Sequence, residues 1–79
     1  MTDERALSYG EKAVGRTFNP SGDPNVAEIK RLYAEVIDHL NYVRTLAGNG
    51  EKGRLLSVAI TEAQTAQMWA VKAFTWRQS

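Results

Sequence analysis

The chain has 79 residues and no cysteine, with 43% hydrophobic residues, 24% charged residues and a formal net charge of +1. This length limits the fold to one domain, and the near-balance of charge excludes the strongly basic face of proteins that bind polymeric nucleic acid. Because the chain has no cysteine and only one histidine, neither disulfides nor a bound metal can stabilise so small a core. We therefore expect the chain to gain stability by self-association.

The chain contains no segment that indicates export or membrane insertion. Asp3 and Glu4 lie where a signal peptide would be basic, and no stretch reaches the roughly 18 apolar residues of a membrane span. We expect a soluble cytosolic protein.

Residues 1–25 form a head rich in glycine and turn-forming residues. A short helix at Arg5–Tyr9 is compatible with the sequence, but Gly10 and Gly15 weaken regular structure there. The run Asn19–Asn25 combines asparagine, proline, serine, glycine and aspartate, which is a dense turn signal. Its end predicts a helix start, with Asp23 as the cap and Pro24 as the first helical residue.

A long amphipathic helix is predicted over residues 24–47. Apolar residues recur at alternating spacings of three and four, which is typical of a helical seam. The seam consists of Val26, Ile29, Tyr33, Val36, Leu40, Val43 and Ala47. Gly48 is a natural residue to end this helix.

A turn over residues 48–53 and a second long helix over residues 54–77 complete the predicted fold. The second helix carries an alanine-rich seam with the same spacing, consisting of Leu56, Ala59, Ala63, Ala66, Ala70 and Ala73. Large apolar residues beside this seam exceed what one partner helix can cover, and such surfaces indicate interfaces. The prediction is an all-α protein, with a short N-terminal helix and loop followed by an antiparallel hairpin of long helices that assembles into a homo-oligomer.

The turn matches the pattern G-x-G-x-x-G over Gly48–Gly53. A dinucleotide fingerprint requires a preceding strand, whereas here a helix precedes the pattern. A plain turn between helices is therefore favoured, although Lys52, Arg54 and the amides at the start of the second helix would suit a phosphate.

Catalytic and metal-binding patterns are weak. His39 is the single histidine, and its neighbour Asp38 points to another helix face. Glu35 and Asp38 lie three residues apart, and a solvated acidic face explains them better than a carboxylate pair. We predict no catalytic residue, no metal ligand and no cofactor.

Two features remain open between packing and binding. Trp69 and Trp76 lie seven residues apart, and they suit either buried interface anchors or base stacking. The head mixes aromatic rings, cations and small polar residues among glycines, which fits either a cap on the helix ends or a site for phosphates and bases. The candidate ligand-binding residues of the head are Tyr9, Lys12, Gly15, Arg16, Thr17, Phe18 and Asn19.

Three blocks of the sequence resemble the small phage anti-CBASS sponge proteins, which share a helical-hairpin domain with the sponges that counter Thoeris defence. The blocks are residues 9–22, the long helix after Pro24, and residues 62–73. The runs TFNPSG (residues 17–22) and AQMWAVK (residues 66–72) are the most specific. The chain lacks room for the extra N-terminal domain of the Thoeris-type sponges, so the anti-CBASS branch is the closer resemblance.

The resemblance implies a non-catalytic protein that forms hexamers and sequesters the cyclic oligonucleotides of bacterial CBASS immunity. Cyclic dinucleotides would lie between protomers, with Tyr9 stacking on a base and Lys12, or else Arg16, binding phosphate. Cyclic trinucleotides would occupy separate sites near three-fold axes, where Arg54 and Thr17 would contact them.

The leading hypothesis is a sponge for cyclic di- and trinucleotides, such as cyclic GMP-AMP, that acts in the host bacterial cytoplasm during phage infection. Its partners would be these ligands and further copies of itself, with no membrane and no polymeric nucleic acid. The rival hypotheses are a structural helical-oligomer module without a ligand and a cyclic-nucleotide phosphodiesterase.

Overall fold

The computed structural model describes residues 7–77, and these residues form three helices. They are α1 (Tyr9–Ala13), α2 (Pro24–Ala47) and α3 (Glu51–Phe74). Helices α2 and α3 pack along each other as a hairpin, and α1 packs on α2. No strand occurs within residues 7–77, and the predicted all-helical hairpin is confirmed.

Helix α1 lies further along the chain than the predicted segment Arg5–Tyr9, of which Arg5 and Ala6 fall outside the described residues. The helix begins after Ser8, whose hydroxyl accepts from the backbone N–H of Glu11 at 3.1 Å, while the Glu11 carboxylate accepts from the N–H of Ser8 at 2.9 Å. This reciprocal capping box sets the start.

Gly10 fixes how α1 contacts α2. A Cβ atom at this position would collide with the carbonyl oxygen of Ala34. The backbone N–H of Gly10 donates to Asp38 Oδ1 at 2.6 Å. The glycine that weakens α1 as an isolated helix therefore allows α1 to lie directly against the α2 backbone.

Helix α2 runs from Pro24 to Ala47. Asp23 Oδ1 accepts from the backbone N–H of Asn25 at 2.8 Å and caps its start. Gly48 follows at its end with a φ of 73°, a conformation that favours glycine.

Helix α3 differs by three residues at each end from the predicted range 54–77. The N–H of Arg54 donates to the carbonyl of Gly50 at 3.0 Å, so residues 51–53 already form its first turn. At the other end, the hydroxyl and the backbone N–H of Thr75 both donate to the carbonyl of Val71, at 2.8 and 3.0 Å. The helix itself therefore ends at Phe74.

The buried faces of the two long helices are rotated from the predicted seams. In α2 the seam places Val36 inside, whereas Val36 is 48% exposed and Ile37 is completely buried. In α3 the deepest positions are Gly53, Ile60 and Gln67. The reason on α2 is that Val14, just after α1, and Ile60 of α3 belong to one cluster with Ala34 and Ile37, so the buried stripe follows these two residues.

The hydrophobic core is small. Its buried members are Val14, Ala34, Ile37 and Ile60, with Ala13, Tyr33, Leu40 and Ala63 packed around them. Among residues 7–77, twelve large hydrophobic residues remain exposed, so most of the large apolar side chains described lie outside this core. Within residues 7–77, no helix combines the length and the apolar character needed to cross a bilayer.

Candidate functional site

The loop between α1 and α2 is held in place by a buried lysine. The Lys30 side chain is 6% exposed, and its ammonium donates to the carbonyls of Gly15, at 3.1 Å, and of Phe18. Gly15 has a φ of 66°, which lets the chain leave α1 and fold back over Lys30. Burial lowers the pKa of Lys30. These contacts leave the Phe18 ring 68% exposed.

A hollow of about 470 Å³, which we call the head hollow, lies between this loop and α3. It is lined by Lys12, Ala13, Val14, Gly15, Phe18, Lys30, Gln64, Gln67, Met68 and Val71. The lining thus combines an aromatic ring, cations and two side-chain amides with an apolar floor. No carboxylate from residues 7–77 lines it, so its cations favour an anionic ligand, and the Phe18 ring would suit a planar group on that ligand.

Asn19 lies in a smaller adjoining hollow of about 290 Å³ that shares Phe18, Lys30 and Val71 with the head hollow. The Asn19 amide donates to the carbonyl of Asp23 at 3.1 Å and its oxygen accepts from the Ser21 hydroxyl at 2.8 Å. Asn19 therefore organises the turn before α2.

Lys12 and Arg16, the two competing phosphate partners, have different environments. The Arg16 guanidinium pairs with the Glu11 carboxylate at 2.6 Å. Lys12 is exposed, lines the head hollow and forms no ion pair within residues 7–77. Thr17 is exposed and lies outside the hollows described here. The local charge balance favours Lys12 as the phosphate partner.

Tyr9 does not line the head hollow, although Lys12 does. Its ring is 45% exposed and lies under the Arg44 guanidinium, 5.5 Å from the ring centroid. Arg44 Nη2 donates to Asn41 at 2.8 Å and its Nη1 donates to Ser57 on α3 at 3.1 Å. Within one protomer, Tyr9 and Lys12 therefore border different surfaces.

Arg54 lies at the far end of the hairpin in a third hollow of about 380 Å³, which we call the turn hollow. This hollow is lined by Arg44, Gly48, Asn49, Gly50, Gly53, Arg54 and Ser57. Glu51 accepts two hydrogen bonds from Arg54, at 2.9 and 2.5 Å. These bonds lower the pKa of Glu51 and raise the pKa of Arg54. Both side chains are exposed, so the pair is available to exchange with another anion.

The G-x-G-x-x-G pattern has a packing explanation. Gly48 ends α2, and a Cβ atom on Gly53 would collide with the carbonyl oxygen of Gly48. Helix α2 precedes the pattern and α3 begins within it, at Glu51, so the pattern joins two helices and no strand precedes it.

The residues considered for catalysis are dispersed. Asp38 accepts a hydrogen bond from the Gly10 backbone and serves the α1–α2 contact. His39 is exposed and lines none of the hollows described here. Within residues 7–77, no group of three or more histidine or acidic residues is placed to hold a metal ion.

Trp69 on α3 and Trp76, which follows the end of that helix, lie on one exposed surface. Trp69 and Trp76 are 65% and 66% exposed and, with Lys72 and Ala73, line a shallow apolar hollow. The Lys72 ammonium lies 5.9 Å from the centroid of the Trp69 ring. In the single chain neither ring is buried, so both interpretations of the pair stay predictions.

Three residues of these surfaces were missed from the sequence. Lys30, Arg44 and Gln67 are polar, and periodicity alone assigns polar residues to the solvent face. Gln67 lies seven residues after Ile60, which is two helical turns, so both face the same side of α3. This spacing is the one signal in the sequence that would have placed Gln67 on the buried face.

A comparison with models of known protein families gives a match that spans the whole hairpin. The family model described as "Acb2/Tad1, hairpin domain" matches residues 11–75, which include Lys12, the head loop, α2 and α3. Searches of curated proteins and of solved structures gave no match. The matched range covers most of the chain and confirms the family that the sequence resemblance indicated, so the chain belongs to the Acb2/Tad1 hairpin-domain family.

Proposed function

We propose that this protein is a non-catalytic sponge, which binds cyclic di- and trinucleotide messengers and so blocks bacterial CBASS immunity during phage infection. The observation that carries the proposal is the head hollow, where the matched family range brings Lys12, which has no ion pair in residues 7–77, to the same surface as the exposed Phe18 ring. Phosphate binding by an ammonium and base stacking on a ring supply affinity without a chemical step.

The cyclic dinucleotide site would use Lys12 for a phosphate, while Gly15 lets the backbone approach the ligand and Phe18 offers a ring to a base. Tyr9 faces another surface of the same protomer. Its stacking role is therefore compatible with a site between protomers, where one chain contributes Tyr9 and its neighbour contributes Lys12.

The cyclic trinucleotide site would use Arg54, whose guanidinium is exposed beside the start of α3. Backbone N–H groups of the first turn of α3 have no partner inside the helix and favour anions. Thr17 would contribute its hydroxyl from the head of the same or of a neighbouring protomer.

Assembly as a homohexamer is part of the proposal. Helices α2 and α3 expose more large apolar residues than is usual for isolated positions on a monomer's surface. In a hexamer these residues would become buried between copies. Ligand sites between copies would couple assembly to binding.

The test is calorimetric titration of the purified protein with a panel of cyclic di- and trinucleotides, followed by heat denaturation and chromatography of the released ligand. We expect tight binding and recovery of the intact ligand. Hydrolysed ligand would indicate a phosphodiesterase, and an assembled protein that binds none of the panel would indicate a structural module.

A further inference from the structure

The guanidinium of Arg44 on α2 is held in place by contacts with uncharged groups. Its Nη2 donates to Asn41 Oδ1 at 2.8 Å, and its Nη1 donates to the Ser57 hydroxyl on α3 at 3.1 Å. The guanidinium also lies 5.5 Å from the centroid of the Tyr9 ring. These contacts fix its position, and none of them neutralises its charge.

Arg44 differs in this respect from other arginines of the described chain. Arg16, Arg31 and Arg54 each form an ion pair with a glutamate within residues 7–77, whereas Arg44 forms none there. A guanidinium is the side-chain group best suited to hold a carboxylate or a phosphate through two parallel hydrogen bonds. The charge of Arg44 is therefore available to an anion that is not among these residues.

The turn hollow brings Arg44 and Arg54 to one surface. Both line it, and the rest of its lining consists of Ser57, Asn49 and three glycines, so no carboxylate from residues 7–77 lines it. A guanidinium has five N–H donors, and within these residues Arg44 uses only the two that reach Asn41 and Ser57. The remaining donors and the two positive charges favour a ligand with phosphate groups.

We infer that Arg44 is a second phosphate-binding residue of the turn hollow, where it and Arg54 together bind the phosphates of a cyclic trinucleotide. Arg54 must exchange its hydrogen bonds to Glu51 for the ligand. Arg44 is already fixed in position, and a preorganised donor loses less conformational entropy on binding. The inference rests on the proposed function and adds a residue to its trinucleotide site.

The experiment measures the affinity of cyclic tri-AMP for the wild type and for Arg44→Gln by calorimetric titration. Glutamine removes the charge, and it is a good helix former at this half-buried position, so the variant should fold. Circular dichroism checks the fold. We expect the affinity to fall about tenfold to a hundredfold, as for the loss of one charge-assisted hydrogen bond.

Two further variants separate phosphate binding from a structural link between α2 and α3. Arg44→Lys keeps the charge and loses the planar group that reaches Asn41 and Ser57, so its affinity should lie between those of the wild type and Arg44→Gln. Arg31→Gln removes the same charge from α2, about 20 Å along the helix, where two glutamates pair with it. This control should change the affinity less than about threefold, because salt screens exposed charges at that distance.

The outcomes separate this inference from the proposed function. An Arg44→Gln protein that binds cyclic tri-AMP as tightly as the wild type overturns the role of Arg44 alone. An equal loss in Arg44→Lys and Arg44→Gln also overturns it, because Arg44 would then act only by linking α2 to α3. A wild type that does not bind cyclic tri-AMP overturns the proposed trinucleotide site and the inference together.

Discussion

At the scale of single residues, ion pairing distinguishes the two cations of the head, Lys12 and Arg16. Arg16 is paired with Glu11, while Lys12 lines the head hollow without an ion pair in residues 7–77. We expect Lys12→Ala to weaken cyclic dinucleotide binding about tenfold to a hundredfold, which corresponds to the loss of one charge-assisted hydrogen bond of about 1.5–3 kcal/mol. Calorimetric titration measures the change.

Lys52 provides the matched control for this prediction. It is an exposed lysine on α3 that lines neither the head hollow nor the turn hollow, so Lys52→Ala removes the same charge at a different place.

Tyr9→Ala should also weaken dinucleotide binding, through the loss of a stacking ring, and should leave assembly intact. Equal affinities in the wild type, Lys12→Ala and Tyr9→Ala would contradict the proposed dinucleotide site.

Substitutions of Arg54 and Glu51 are expected to change the affinity for cyclic trinucleotides in opposite directions. Arg54→Glu places a negative charge in the turn hollow and should abolish cyclic trinucleotide binding while leaving dinucleotide binding unchanged. Glu51→Gln removes the carboxylate that occupies the Arg54 guanidinium, so trinucleotide affinity should rise several-fold. Loss of both ligands in Arg54→Glu would instead indicate one shared site.

At the scale of elements, the contact between α1 and α2 positions the head. Gly10→Ala would drive a methyl group into the Ala34 carbonyl and disturb the hydrogen bond from the Gly10 backbone to Asp38. We expect a loss of about 2 kcal/mol in unfolding free energy, measured by denaturant titration, and weaker dinucleotide binding. Gly50→Ala is the control, because nothing lies within 4 Å of a Cβ atom there. A Gly10→Ala protein as stable as Gly50→Ala would refute this account.

The sequence predicted the elements better than their faces. Asp23, Pro24 and Gly48 are local signals whose effect does not depend on the rest of the fold, and α2 begins and ends beside them. The inward faces depend on where the other helices pack, so Val36, a member of the predicted seam, is exposed, while Lys30, which the pattern did not place, is buried. For the same reason, composition singled out Lys12, Gly15 and Phe18 as candidates, whereas the position of Gln67 across the same hollow depends on tertiary contacts.

At the scale of the whole molecule, one chain leaves much of its apolar surface exposed. The exposed large hydrophobics include Leu46, Leu55, Met68, Trp69 and Trp76, each more than half exposed, while only five hydrophobic residues within 7–77 are buried, four of them in the core cluster. A chain of 79 residues with so small a core has little stability of its own. Association that buries these residues would supply the missing hydrophobic free energy.

This imbalance predicts that folding and assembly are coupled. Sedimentation should give a mass that is a multiple of 8.8 kDa, with six copies as the proposed number. The midpoint of thermal unfolding should rise with protein concentration, because assembly stabilises the folded state by mass action.

Trp69→Lys, which places a second charge beside Lys72 in the apolar patch of α3, should lower both the mass and the midpoint if the tryptophans anchor the interface. The control is Thr61→Lys, which adds the same charge at an exposed polar position of α3. A folded monomer whose unfolding midpoint does not change with concentration would contradict the coupling and remove the basis for ligand sites between protomers.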